Sequence, residues 1–135
     1  MKVDGCRVVI TGGASGIGLA IARQLADRGC QIVLADIDAA ALTICADERY
    51  AFHKFVCDVT QQESLEALAD FSWATLGGVD LVFANAGVGL PLRPLLDHTE
   101  AHARWVREVS YFGAGHTPRP LVPRLIEQGR QAQAV

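Results

Sequence analysis

Hydrophobic residues fall along this chain in short unbroken runs, separated by stretches where they recur at helical spacing. Val8-Val9-Ile10 is the first run, and its β-branched side chains suit a buried strand. Glycines at 12, 16 and 18 then interrupt any regular element, and Ile17 to Arg28 carries apolar residues at helical spacing. Gln31 to Asp36 reads as a second strand, the alanine-rich stretch from about Asp38 to Asp47 as a helix, and Phe52 to Val59 as a third strand. Between 61 and 76, Leu65, Leu68, Phe71 (or Ser72) and Leu76 share one helical face, with Thr60 as N-cap and Gly77-Gly78 as the stop. Val79 to Ala84 is a near-continuous apolar run, the pattern of a strand in the middle of a parallel sheet.

Val88 to Leu96, with Pro91 and Pro94, reads as a loop, and Thr99 to about Gly115 as a helix. Pro118 and Pro120 each remove a helix N–H bond, at about 3 kcal/mol in a helix interior. The helix is therefore expected to break near His116, with Leu121 to Gln128 resuming as a short helix. Gln131 to Val135 lies about where a fifth strand would begin. Strands alternating with helices of these lengths make right-handed βαβ units. The fold class is α/β: a Rossmann-like doubly wound parallel sheet, strand order 3-2-1-4, cut short before or within the fifth strand.

Composition narrows the picture further. The 135 residues suffice for one domain, half of them hydrophobic and a fifth charged, which is globular rather than disordered composition. A net charge of −3 leaves no basic footprint for nucleic acid or anionic lipid. The cysteines at 6, 30, 45 and 57 form no Cys-x-x-Cys pair and sit in apolar settings, so they read as reduced, buried thiols. No apolar run reaches membrane-span length and the N-terminus lacks a signal-peptide core, so a soluble cytoplasmic protein is expected.

The chemistry concentrates at the first turn. A strand, a glycine-rich turn and a helix N-terminus aim free N–H groups and the positive end of the helix dipole at one spot. Glycine lets a phosphate approach the backbone where a Cβ would stand in the way. Asp36, about 20 residues on at the end of the second strand, is placed to accept from the two ribose hydroxyls and to repel a 2′-phosphate. NAD(H) is thus favoured over NADP(H). The alternative is that Asp36 or Asp38 merely caps the following helix.

The run Thr11-Gly12-Gly13-Ala14-Ser15-Gly16-Ile17-Gly18 has its glycines in the order Gly-x-x-x-Gly-x-Gly. It resembles the short-chain dehydrogenase/reductase family. Asp58-Val59 and Asn85-Ala86-Gly87 are similar to two further family motifs, with Ala84 in place of the first Asn of the second. The resemblance implies an NAD(P)-binding domain over 1–135, incomplete at its C-terminus. Gly12, Ser15, Gly16, Ile17 and Gly18 would hold the pyrophosphate and Asp36 the adenosine ribose. Asp58 would accept from the adenine amino group while Val59 packs against the base. Asn85, Ala86 and Gly87 would line the far side, although Asn85 has the alternative role of tying adjacent strands.

The resemblance also implies oxidation of an alcohol or reduction of a ketone. Such enzymes use a Tyr whose phenol, near pKa 10 when free, needs a nearby Lys to carry a proton at neutral pH. No Ser, Tyr and Lys follow Gln131 in this sequence, and Ser110 stands where the family has its catalytic Asn. Tyr50 and Lys54 have the Tyr-x-x-x-Lys spacing, but extended residues four apart are separated by about 13 Å. The chain is therefore expected to hold the dinucleotide without turnover, an alcohol or carbonyl substrate entering only with the missing half. The alternative is an inactive fragment or relic, self-associating through an uncovered fourth strand, so that a homo-oligomer is among its expected states. His98 and His102, four apart, lack a third ligand and read as a solvated helix face rather than a metal site.

Overall fold

The computed structural model describes residues 2–45, 49–90 and 92–135. Five parallel strands form one sheet in the order β3-β2-β1-β4-β5. These are β1 (Arg7–Thr11), β2 (Gln31–Asp36), β3 (His53–Val56), β4 (Leu81–Phe83) and β5 (Gln133–Ala134). The order foreseen for the first four strands is present, and a fifth is added beside β4.

Sequence alternation explains why both faces of the sheet are covered. Val9, Val33 and Val82 point to one side, where they pack with Leu65, Leu68 and Leu76 of α3 (Gln62–Leu76) and with Leu121 and Leu125. Val8, Ile10, Ile32, Leu34 and Leu81 point to the other, against Ala22 and Leu25 of α1 (Gly16–Ala26) and Leu42 of α2 (Ala39–Ile44). Full burial of each such side chain is worth about 1.5–3 kcal/mol. Gly77 ends α3 in the left-handed conformation, as its sequence position foretells.

The strand ends are clamped by a charge pair. Arg7 donates from Nε and Nη2 to the two Asp80 carboxylate oxygens at 2.9 and 2.6 Å, and its backbone N–H reaches the same carboxylate at 3.0 Å. A further bond from Arg7 Nη1 to Gly77 O, at 3.0 Å, ties in the α3 terminus. These bonds to the Arg7 guanidinium hold the Asp80 carboxyl below its ordinary range.

Several local expectations are corrected. Thr60 does not cap α3: its hydroxyl donates to Asp58 Oδ1 at 2.7 Å, and Gln61 holds the N-cap position without a side-chain bond. The second helix is shorter than expected, and Ala46 and Asp47 lie outside the described residues, as does Pro91. The third strand ends at Val56 and not at Val59: Cys57 N–H still donates to Asp36 O at 2.9 Å, but Asp58 N–H turns to Ser64 Oγ at 3.0 Å. A 3₁₀ turn at Leu95–Asp97 enters the expected loop.

The helix after Thr99 is the largest departure. Thr99 caps α4 (Glu100–Val106) through a box with His102, whose Nδ1 accepts from the Thr99 N–H at 3.3 Å. The backbone then widens into a π-helical segment over Arg107–Gly113, tightens again in α5 (Ala114–His116), and continues as α6 (Pro118–Glu127). Regular helix is interrupted at Thr117, as the prolines foretell, but it resumes at Pro118 and not at Leu121. Pro118 occupies the first position of the new helix, where no N–H bond is needed. Thr117 keeps right-handed helical angles, and both its N–H and its hydroxyl donate to Gly113 O, at 3.0 and 2.8 Å.

The edge of β4 is not bare. β5 pairs with it, Leu81 opposite Gln133 and Val82 opposite Ala134, and Val135 N–H donates to Val82 O at 2.8 Å. Self-association through an uncovered β4 edge is therefore set aside. All four cysteines are free thiols, and burial pushes those of Cys6 and Cys57 up, so both remain protonated at neutral pH.

Candidate functional site, a cleft at the carboxyl ends of the strands

A cavity of about 470 Å³ opens where β1, β2, β3 and β4 end. It is lined by Gly12, Ser15, Gly16, Ile17, Asp36, Asp58, Val59, Asn85, Ala86 and Gly87, with Ile37, Cys57, Val88, Trp105 and Val109. Of the eleven residues that the sequence reading gave to the dinucleotide, all but Gly18 line this one cavity.

The turn after β1 owes its shape to two glycines with positive φ, 64° at Gly12 and 50° at Gly16. Gly16 lines the cavity, and a Cβ there would meet no protein atom within 4 Å. Ser15 starts α1 from an extended conformation, yet its side chain makes no cap bond and leaves the first-turn N–H groups untaken by it. Gly13 N–H donates to Ala35 O at 3.1 Å, which pins the turn against β2. Gly18 lies beneath this surface: a Cβ there would stand 2.2 Å from Gly12 O.

Asp36 ends β2 at the cavity wall. Its Oδ2 accepts from Ala14 N–H and its Oδ1 from Asp38 N–H, both at 3.1 Å. Each oxygen keeps a second lone pair for a further donor. The capping role falls to Asp38, whose carboxylate accepts from Ala41 N–H at 2.9 Å. Asp58 is oriented by Thr60, whose N–H and hydroxyl both donate to Oδ1, at 2.9 and 2.7 Å. Asn85 performs the tying role: Nδ2 donates to Thr11 O and Gly12 O, each at 3.1 Å, and joins the end of β4 to the glycine turn. Ala86 N–H adds a bond to Thr11 Oγ1 at 3.2 Å.

Ser110 has a part that its sequence position did not suggest. Its hydroxyl donates to Val88 O and accepts from Val88 N–H, both at 2.9 Å, so the wide helical turn grips the segment after Gly87. Ser110→Ala is expected to cost about 1 kcal/mol and to raise amide hydrogen exchange at Val88, read by NMR. Unchanged exchange there would remove the latch.

Trp105 and Val109 were also missed. They are four residues apart on adjacent helical turns, a weak signal among the other apolar pairs of this chain. The dismissed Tyr50 stays away from the cavity, stacked on Phe52 with its hydroxyl donating to Asp27 Oδ1 at 3.2 Å. Tyr111 is exposed and does not line it.

A glycine-lined cleft at the carboxyl ends of parallel strands, flanked by an acid on the second strand, is the arrangement that takes a dinucleotide in doubly wound folds. The profile described as short chain dehydrogenase matches residues 7–135. Among curated relatives, 1-deoxy-11-beta-hydroxypentalenate dehydrogenase of Streptomyces exfoliatus is 40% identical over 132 residues, covering 94% of this chain and 48% of that protein. The 7alpha-hydroxysteroid dehydrogenase of Escherichia coli K12 is 35% identical over 133 residues, covering 96% and 51%. A short chain dehydrogenase/reductase from Burkholderia phymatum, solved in complex with NAD, superposes with a TM-score of 0.90 at 33% identity, covering 99% of this chain and 49% of that one. This chain belongs to the short-chain dehydrogenase/reductase family of oxidoreductases. It spans about half the length of the curated relatives it matches. Among the described residues, no helix is long and apolar enough to cross a membrane.

Proposed function

We propose that this chain binds NAD(H) in the cleft and prefers it to NADP(H). One observation carries the preference: Asp36 stands at the cavity wall, and no Lys or Arg lines that wall among the described residues. A 2′-phosphate against Asp36 meets like charge with no cation to offset it. In this reading the main-chain amides of Gly12, Ser15, Gly16 and Ile17 hold the pyrophosphate, over a turn that Gly18 supports from below. Asp36 takes the adenosine ribose, Asp58 the adenine amino group, and Val59 packs on the base. Asn85, Ala86 and Gly87 line the far side, and glycine there lets the nucleotide approach the backbone closely.

When bound, the nicotinamide ring would supply the hydride chemistry of alcohol and carbonyl interconversion. Neither tyrosine lines the cleft, so these residues hold the dinucleotide and leave proton transfer to others. The four free thiols favour a reducing, cytoplasmic setting. Titration calorimetry tests the reading, with saturable micromolar binding of NADH and binding of NADPH at least tenfold weaker as the expected result. Asp36→Asn should narrow that gap by about tenfold through loss of the like charge. Absent NADH binding, or equal affinity for the two nucleotides, overturns it. Robust NADH formation from an alcohol by the 135-residue chain would overturn the division of labour.

A further inference from the structure

We propose that Trp105 is the outer wall of the base subsite, its indole ring forming the face on which the adenine of a bound nucleotide stacks. The inference rests on the dinucleotide reading and adds a binding residue that the glycine turn and the two acids do not provide.

Three observations place the ring there. Trp105 lines the main cavity together with Asp58, Val59 and Val109. It also lines a shallow neighbouring cleft with Thr60 and Gln61, so it stands on the ridge between the two. Thr60 is the residue whose N–H and hydroxyl orient the Asp58 carboxylate. Trp105 therefore sits at the Asp58 end of the cavity and not at the glycine turn.

The surroundings say what this ring is free to do. Other aromatic side chains are engaged with one another or with a cation: Phe55 with Phe71, Tyr50 with Phe52, Phe112 with Tyr111 and His116, and Trp73 beneath the Arg124 guanidinium. Among the described residues, Trp105 is the single aromatic ring lining the cavity. It is 48% exposed, which leaves much apolar surface in water at the mouth of a pocket whose adjacent walls, Val59 and Val109, are aliphatic. A purine laid between those aliphatic walls and the indole removes that surface from water. Base–aromatic stacking asks only for a π-face, whichever base presents it.

The test uses the full chain and its single variants, with NADH, ADP and nicotinamide mononucleotide as probes. Calorimetry should show Trp105→Ala weakening NADH and ADP alike by about tenfold, with Trp105→Phe within about threefold of the parent. Nicotinamide mononucleotide, which has no adenine, should bind parent and variant equally. A second measurement leaves position 105 intact. In Trp73→Phe, Trp105 is the one remaining tryptophan, and its emission should fall on adding ADP with the same saturation as the calorimetric curve. The inference is overturned if the parent binds NADH while Trp105→Ala binds NADH and ADP as tightly, or if the Trp73→Phe emission stays constant at saturating ADP. If Trp105→Ala fails to fold, the emission measurement alone decides. A parent chain that binds neither NADH nor ADP sinks the dinucleotide reading itself, and the stacking role with it.

Discussion

Gly18→Ala is expected to lower stability by about 3 kcal/mol, seen as a fall of about 10 °C in the thermal midpoint. The added methyl would lie 2.2 Å from Gly12 O and 2.6 Å from Asn85 Nδ2, and both neighbours are fixed. Gly12 belongs to the turn, and the Asn85 amide bridges that turn to the end of β4. Relieving the clash means parting α1 from β1, which opens the core behind Ala22 and Leu25. Gly16→Ala makes the informative contrast. Its methyl meets no protein atom within 4 Å, and the strain is limited to a φ of 50°, worth about 1–2 kcal/mol. Gly16 lines the cleft, so under the dinucleotide reading this variant should fold yet lose NADH affinity. Differential scanning calorimetry with NADH titration separates the two, and a Gly18→Ala protein that melts like the parent would refute the packing account.

Asp80→Ala should cost about 3 kcal/mol in urea unfolding, because it strands the Arg7 guanidinium at a largely covered site. Two side-chain bonds and one backbone bond end on that carboxylate, and Gly77 O alone cannot replace them. The pair also fixes a pH dependence. Hydrogen bonding to Arg7 lowers the folded pKa of Asp80 below its unfolded value, near 3.9. The stabilisation is therefore fully present above that unfolded value and is lost as pH falls through the folded one. Parent stability should decline below about pH 4, and Asp80→Ala should flatten the decline. Parallel curves for the two proteins would show that the pair has no such part.

Much of this molecule was legible from local pattern. Val8 to Ile10 and Ile32 to Leu34 could be read as strands because parallel strands covered on both faces need unbroken apolar runs. The glycine turn and Asp36 could be picked out as neighbours of one cleft because phosphate and ribose chemistry constrains residue type and order, and both line it. Thr60 shows where such reading fails: a threonine before a helix suits a cap, but a carboxylate two residues earlier competed for its hydroxyl and won. Ser110 and Trp105 stayed hidden for a different reason. Val88, which Ser110 grips from the widened turn at Arg107–Gly113, and the other residues that line the cleft with Trp105 are mostly distant from them in sequence. Propensity carries no signal for that turn. The prolines at 118 and 120 marked the interruption at Thr117, whereas its extent depended on the Thr117 bonds to Gly113.

That widened turn also governs the angular phase of everything after it. Trp105, Val109, Gly113, Thr117, Leu121 and Leu125 follow one another at intervals of four, from the cleft rim to the buried face of the sheet. In an uninterrupted α-helix every fourth residue swings on by about 40°, so five such steps would carry Leu125 about 200° away from the side on which Trp105 lies. A stretch with i→i+5 bonding winds more slowly and takes up the drift. One stripe running through α4, the widened turn, α5 and α6 can thereby serve both the cleft and the hydrophobic interior.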